Sequence, residues 1–184
     1  MLTYEIDIAG LKRELPLCRV TDDVYIGAFV IFGDVELTVH CAEELLKIAP
    51  DYDYLLAPEA KSIPLLYEMA RQSGENKYFL ARKVPKLYMS EVFEVEVKSI
   101  TTEKEQKLYL DKADADEMRG KRILIIDDVI STGESLRAVE ELVIKAGGII
   151  AGKMFVLAEG ESRNRPDVTY LAPLPLFNAD GTVK

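Results

Sequence analysis

Four consecutive aliphatic residues, Ile123-Leu124-Ile125-Ile126, constrain this chain more than any other feature. A run of that kind has no polar face, so it fits a parallel strand covered on both sides. It stops at two acids, Asp127-Asp128, and the chain continues Val129-Ile130-Ser131-Thr132-Gly133-Glu134-Ser135. Leu136, Val139, Leu142, Val143 and Ala146 then recur at helical spacing, Gly147-Gly148 close that helix, and Ile149 to Leu157 supply another strand. Strand, helix and strand make a βαβ unit. Strands alternating with helices elsewhere extend the reading to an α/β fold, a doubly wound, mostly parallel sheet with helices on both faces.

Upstream, Glu36 to Ile48 carries apolar positions at helical spacing and stops before Pro50. Tyr54 to Ala57 reads as a short buried strand, and Pro58-Glu59-Ala60-Lys61-Ser62 as the turn after it. Pro64 suits the first turn of a helix striped by Leu65, Leu66, Met69 and Ala70 and ended near Gly74. Lys77 to Leu80 predicts a further strand, leading into the basic cluster Arg82-Lys83-Val84-Pro85-Lys86. Glu91 to Lys107 is highly charged, with strand-like alternation at Val92 to Val97, and its centre, Ser99 to Gln106, reads as a mobile excursion.

Scarce residues exclude several chemistries. The single histidine, His40, rules out a zinc site of two or three histidines, and its neighbour Cys41 points away from it on a helix. With Cys18 the only other cysteine, no disulfide framework exists and a cytosolic, reduced setting is expected. Residues 1–7 have neither a basic nor an apolar leader region, so no signal peptide is expected and the location reads as cytoplasmic. The longest apolar run, Tyr25 to Phe32, is far short of the roughly 20 residues of a membrane helix. Lys and Arg number 23 against 32 Asp and Glu, a net charge of −9, which argues against nucleic acid and anionic membrane as partners. Gly147 to Lys153 matches most of a phosphate-binding P-loop, but a helix precedes it and a strand contains its second half, the reverse of the required order.

The chemistry concentrates where the aliphatic strand ends. In an open parallel sheet, ligands bind outside the carboxyl ends of the strands. The segment Ser131 to Ser135 opens a helix, so backbone N–H groups and the helix dipole converge there on an anion. Thr132 and Ser135 add hydroxyls, and Gly133 lets the backbone turn closely around a phosphate. Asp127 and Asp128, directly before that cradle, suit sugar hydroxyls or hydrated Mg²⁺ better than the phosphate itself. Helix capping alone explains one Ser or Asp, not two acids after four aliphatics.

Residues 123–135, ILIIDDVISTGES, resemble the signature of the type I phosphoribosyltransferases, which bind 5-phosphoribosyl-1-pyrophosphate (PRPP) with Mg²⁺. Glu134 departs from the second glycine common there. More weakly, residues 50–158 are similar to the adenine phosphoribosyltransferase group. The resemblance implies that Asp127, Asp128, Ser131, Thr132, Gly133, Glu134 and Ser135 hold the ribose and 5-phosphate, with Mg²⁺ brought by PRPP and met by Asp127 and Asp128. It implies that Ala60, Lys61 and Ser62, with Arg82, Lys83 and Lys86, meet the pyrophosphate. Glu91 to Lys107 takes the place of a loop that closes over the site. That loop in the adenine enzymes carries a Glu-Tyr-Gly segment, whereas this chain has Val95-Glu96-Val97-Lys98-Ser99, so only Lys98 and Ser99 stand as loop candidates and no proton-transfer residue is assigned.

The same resemblance implies one domain over residues 1–184, with a core at about 36–160 and a hood over the base from about 1–35 and 161–184. Phe29, Leu176 and Phe177 are candidates to contact a planar base, although aromatic and aliphatic groups there equally suit core or a dimer interface. The implied activity is transfer of phosphoribose from PRPP to a purine-type base, adenine first, through an oxocarbenium-like sugar, in a homodimer. The alternative is a PRPP-binding regulator without transferase chemistry. A repressor of that kind carries an added DNA-binding domain and a basic surface, for which this acidic chain has no room.

Overall fold

None of the four side chains of Ile123 to Ile126 exceeds 1% exposure, and the rest of the molecule is arranged around them. The computed structural model describes residues 2–98 and 105–184. In chain order its elements are β1 (Thr3–Ile8), β2 (Leu11–Arg19), β3 (Tyr25–Gly27), α1 (Val35–Lys47), β4 (Tyr54–Pro58), α2 (Ile63–Ser73), β5 (Phe79–Ala81), β6 (Val92–Lys98) and β7 (Glu105–Asp111). There follow α3 (Lys112–Glu117), β8 (Arg122–Ile130), α4 (Glu134–Ala146), β9 (Ile149–Glu159), a 3₁₀ turn (Gly160–Asn164), β10 (Thr169–Leu174) and β11 (Leu176–Phe177).

Five strands form a wholly parallel sheet in the order β10-β9-β8-β4-β5. On one face α1 and α2 bury Leu37, Cys41, Leu45, Leu65, Leu66 and Met69 against Leu55, Leu124 and Ile126. On the other, α4 buries Leu136, Val139, Leu142 and Val143 against Ile123, Ile125 and Phe155. The sheet is therefore covered on both faces, as its uniformly aliphatic central strand requires. Counted within the sheet, the strands run 2-1-3-4-5, so the winding direction reverses between β4 and β8. A reversal of this kind opens a crevice beyond the carboxyl ends of the two strands.

Local signals set the helix ends. The Asp34 carboxylate accepts from Leu37 N at 3.0 Å and caps α1. Arg13 lies 2.6 Å from the same carboxylate and holds it below the usual carboxylate range, tying α1 to β2. Gly74, at φ +74°, ends α2 in the left-handed conformation. A second, antiparallel sheet, β1-β2-β3-β11, draws strands from both ends of the chain.

Two elements differ from the sequence reading. The β8 strand continues through Asp127 and Asp128 to Ile130, because Asp127, Val129 and Ile130 still pair with Phe155, Leu157 and Ala158 of β9. The strand expected at Lys77 to Leu80 lies at Phe79–Ala81, where its residues pair with Leu56 to Pro58. The strand-like alternation expected at Val92 to Val97 falls on β6, which pairs with β7 in an antiparallel hairpin. Its inward positions Val95, Leu108 and Leu110 are buried with residues of α4. The expected mobile centre falls largely on residues 99–104, outside the described residues.

His40 and Cys41 have packing roles. The His40 Nε2 lies 2.6 Å from the Ala9 carbonyl oxygen, and burial pushes the Cys41 thiol up to about 12. Both cysteines are free.

Candidate active site

A cavity of about 310 Å³ opens at the reversal between β4 and β8. Its walls come from the turn after β4 (Pro58 to Lys61), from Asp127 to Gly133, Ser135 and Leu136 on β8, its loop and α4, and from Lys83, Lys107, Leu108 and Phe155. Three lysines, Lys61, Lys83 and Lys107, thus face three carboxylates, Glu59, Asp127 and Asp128, within one space.

The carboxylates at the floor are held by the strand. Asp128 is 7% exposed, and its Oδ2 is buried with no hydrogen-bond partner among the described residues. Asp127 Oδ1 accepts from the Asp128 backbone N–H at 2.9 Å. Burial raises the pKa of both acids; the charge of Asp128 adds to the rise at Asp127, and Lys61 opposes it at Asp128. Two adjacent carboxylates, Asp127 half-buried and Asp128 buried with an orphaned oxygen, form a donor set that suits a hard divalent cation or a sugar diol.

Beyond them the loop turns into α4. Gly133 precedes the helix at φ +83°, a region that L side chains rarely adopt, and a Cβ built there would collide with the Arg165 guanidinium. Arg165 is itself clamped on Asp167, through Nε at 3.0 Å and Nη2 at 2.7 Å. The Ser131 hydroxyl donates to Glu159 Oε2 at 2.6 Å, and the Ser162 hydroxyl donates to the Ser131 carbonyl oxygen. The Ser131 hydroxyl therefore shapes the loop; Thr132, whose Oγ1 accepts from Glu134 N at 3.5 Å, and Ser135 also line the cavity. Glu134 is the first residue of α4 and lies outside the lining.

The opposite wall is the β4–α2 turn, whose Glu59–Ala60 peptide is cis. Ser62 is fully buried and its hydroxyl donates to Pro58 O at 2.7 Å, so it braces the turn instead of facing the cavity. Glu59 reaches across to β5 and beyond: Oε1 accepts from Lys83 N at 2.6 Å, and Oε2 lies 3.1 Å from Arg82 Nε. That Arg82 nitrogen is buried and not aligned for a hydrogen bond, so the contact is an ion pair only. Lys86 lies outside the lining, its backbone N–H directed at Met89 Sδ at 3.5 Å.

Of the residues expected from sequence, the fold thus gathers Ala60, Lys61, Lys83, Asp127, Asp128, Ser131, Thr132, Gly133 and Ser135 around one cavity. Phe29, Leu176 and Phe177 are not among its walls. Phe29 is 4% exposed in the core, and Phe177 is fully buried with its ring 4.8 Å from that of Tyr4. Leu176 is half-buried and packs over Gly160. The pairing of β11 with β3 turns Phe177 inward, so these rings serve packing. Ser99 and the Lys98 side chain lie outside the described residues.

Lys107, Glu59 and Glu159 were not singled out by sequence. Glu59 has a local signal, the lone acid in the Pro58 to Ser62 turn, two residues before Lys61. Lys107 and Glu159 have none, since each reaches the cavity or its loop only through strand pairing.

Comparison with known proteins settles the family. A model described as the phosphoribosyl transferase domain matches residues 39–172. The chain belongs to the phosphoribosyltransferase family. Over 182 residues it is 27% identical to an adenine phosphoribosyltransferase of Thermosipho africanus, covering 97% of each chain. Among solved structures it resembles an adenine phosphoribosyltransferase of Thermoanaerobacter pseudethanolicus, with TM-score 0.64, 24% identity, and 78% of this chain and 84% of that one covered. An APRTase of Giardia lamblia complexed with 9-deazaadenine superimposes with TM-score 0.63 at 17% identity, covering 94% of this chain and 93% of the other. The doubly wound, mostly parallel sheet is the type I phosphoribosyltransferase fold.

Proposed function

We propose that this phosphoribosyltransferase moves the 5-phosphoribosyl group of PRPP onto adenine, releasing pyrophosphate. One observation carries the reading: the Asp127–Asp128 pair, the α4 cradle and the lysine-bearing β4–α2 turn share a single cavity at the winding reversal. The N-terminus of α4, with Thr132 and Ser135, takes the 5-phosphate. Asp127 and Asp128 take the ribose diol and a divalent cation, and the orphaned Asp128 Oδ2 fits that use. Lys61 and Lys83, beside Ala60, take the pyrophosphate. Bound there, Mg²⁺ would draw charge from the leaving pyrophosphate as the sugar becomes oxocarbenium-like. The protein's share is to hold the sugar and the leaving group in line and to supply fixed charge, with no covalent nucleophile. Names of similar proteins support adenine as the acceptor.

The remaining traits follow the same reading. Exposed Val84, Leu87 and Tyr88 beside Lys86 support a homodimer that covers this rim. The net charge of −9 disfavours nucleic acid, and no described helix is long and apolar enough to cross a membrane. Free cysteines fit a reducing, cytoplasmic setting, and the names of similar proteins support a place in purine salvage.

The test is to incubate the protein with PRPP, Mg²⁺ and a panel of nucleobases, and to measure nucleotide and pyrophosphate. Equal amounts of adenosine monophosphate and pyrophosphate with adenine are expected, and less product with 6-oxopurines. PRPP binding without product from any base would replace this reading with that of a regulatory PRPP-binding protein.

A further inference from the structure

Lys107 is the third lysine of the cavity and the one that comes from the β6–β7 hairpin. It stands on β7 directly opposite Glu96 and diagonal to Glu94, with Nζ 3.2 Å from Glu96 Oε2 and 3.1 Å from Glu94 Oε1. The buried Val95, Leu108 and Leu110 fill the α4-facing side of the hairpin, which leaves Lys107 and both glutamates on the side away from α4. Lys107 lines the cavity, and neither Glu94 nor Glu96 does.

Charge counting gives the arrangement a use. Without Lys107 the cavity would hold two lysines against three carboxylates, a poor receptor for a polyanion. With it the fixed charges balance before any divalent cation is added. Lys107 is 40% exposed in its side chain, and the glutamates about as much. Ion pairs so exposed are weak and are exchanged readily for a better anion. The ammonium is a compact charge on a flexible stem, able to turn from a carboxylate to a phosphoryl oxygen without backbone movement. Both glutamates raise its pKa, so it stays protonated throughout.

We propose that Lys107 binds the pyrophosphate end of PRPP, and that Glu94 and Glu96 compete with the substrate for it. The inference rests on the PRPP reading above and extends it to the β6–β7 hairpin. Glu94 and Glu96 then act as an internal brake on affinity, and their removal should tighten binding where removal of Lys107 weakens it. A purely structural role for the cluster would weaken binding in both cases.

The test is calorimetric titration of PRPP with Mg²⁺, of inorganic pyrophosphate, and of ribose 5-phosphate, into the full chain and three variants. Lys107→Met should weaken pyrophosphate and PRPP about tenfold, the scale of losing one hydrogen bond to a charged group, and leave ribose 5-phosphate unchanged. Glu94→Gln with Glu96→Gln should tighten pyrophosphate about threefold, the scale of an exposed ion pair. Lys107→Arg should retain most of the affinity. Unchanged pyrophosphate binding in Lys107→Met, an equal loss for ribose 5-phosphate, or weaker binding in the double glutamine variant would each overturn the proposal. Failure of the unsubstituted protein to bind ribose 5-phosphate and PRPP would instead remove the PRPP reading itself, and this inference with it.

Discussion

The acidic floor of the cavity and its basic rim are built in opposite ways. Asp127 and Asp128 sit on the central strand, half-buried and buried respectively, on backbone held by its pairing with β9. Lys61, Lys83 and Lys107 sit on a turn, a connecting segment and a hairpin, and reach into the same space on flexible stems. Such a carboxylate pair has few ways to relax, so it costs folding stability and holds its position. Exposed lysines contribute little to stability and adapt to whatever anion arrives. The floor therefore sets geometry and the rim sets affinity.

That division is open to attack at several points, and the largest effect should come from the cradle next to the floor. Gly133→Ala forces a side chain into φ +83° and against Arg165, and should lower PRPP affinity by about two orders of magnitude, read by calorimetry. Next come the rim lysines. Lys61→Ala and Lys83→Ala should each cost about tenfold in PRPP affinity, with a smaller dependence on salt than the unsubstituted protein shows.

The pH dependence should be of intermediate size and separates floor from rim. The floor acids are held above the ordinary carboxylate range and must be ionised to take a cation, so Mg²⁺-dependent PRPP affinity should fall several-fold as pH drops from 8 to 6. A flat profile would place the cation elsewhere. The smallest effect is expected at Lys86, outside the cavity, where Lys86→Ala should change PRPP affinity less than about twofold. A loss there as large as at Lys83 would break the boundary drawn between the two.

Floor and rim also differ in how far they could be read from sequence. The β8–α4 unit is local: four aliphatics, two acids, a glycine loop and a striped helix follow one another within a few turns of chain, so pattern and position agree. The hairpin is not local in that sense. The alternation at Val92 to Val97 is legible, but Val95, Leu108 and Leu110 become one inward face only once β6 pairs with β7. The Ser131 hydroxyl looked available because Glu159, which accepts its hydrogen bond, lies 28 residues away. Phe29 and Phe177 were ambiguous for a physical reason, since a core and a base pocket ask for the same apolar rings. Both rings are buried and outside the cavity walls, which favours packing.

The central claim, that the acid pair is kept for binding at the expense of stability, is tested most directly by Asp127→Asn with Asp128→Asn. The folded chain binds protons at these acids more tightly than the unfolded chain does. Their ionisation therefore costs the fold nothing below the unfolded pKa; the cost grows as pH rises through the folded value and is complete above it. Melting temperature without Mg²⁺ and PRPP affinity with it should be measured on the same preparations from pH 4 to 8. The expected result is a double variant that melts higher at pH 8, loses that advantage toward pH 4, and no longer binds PRPP. A variant that melts lower at pH 8, or binds PRPP as before, would contradict the account.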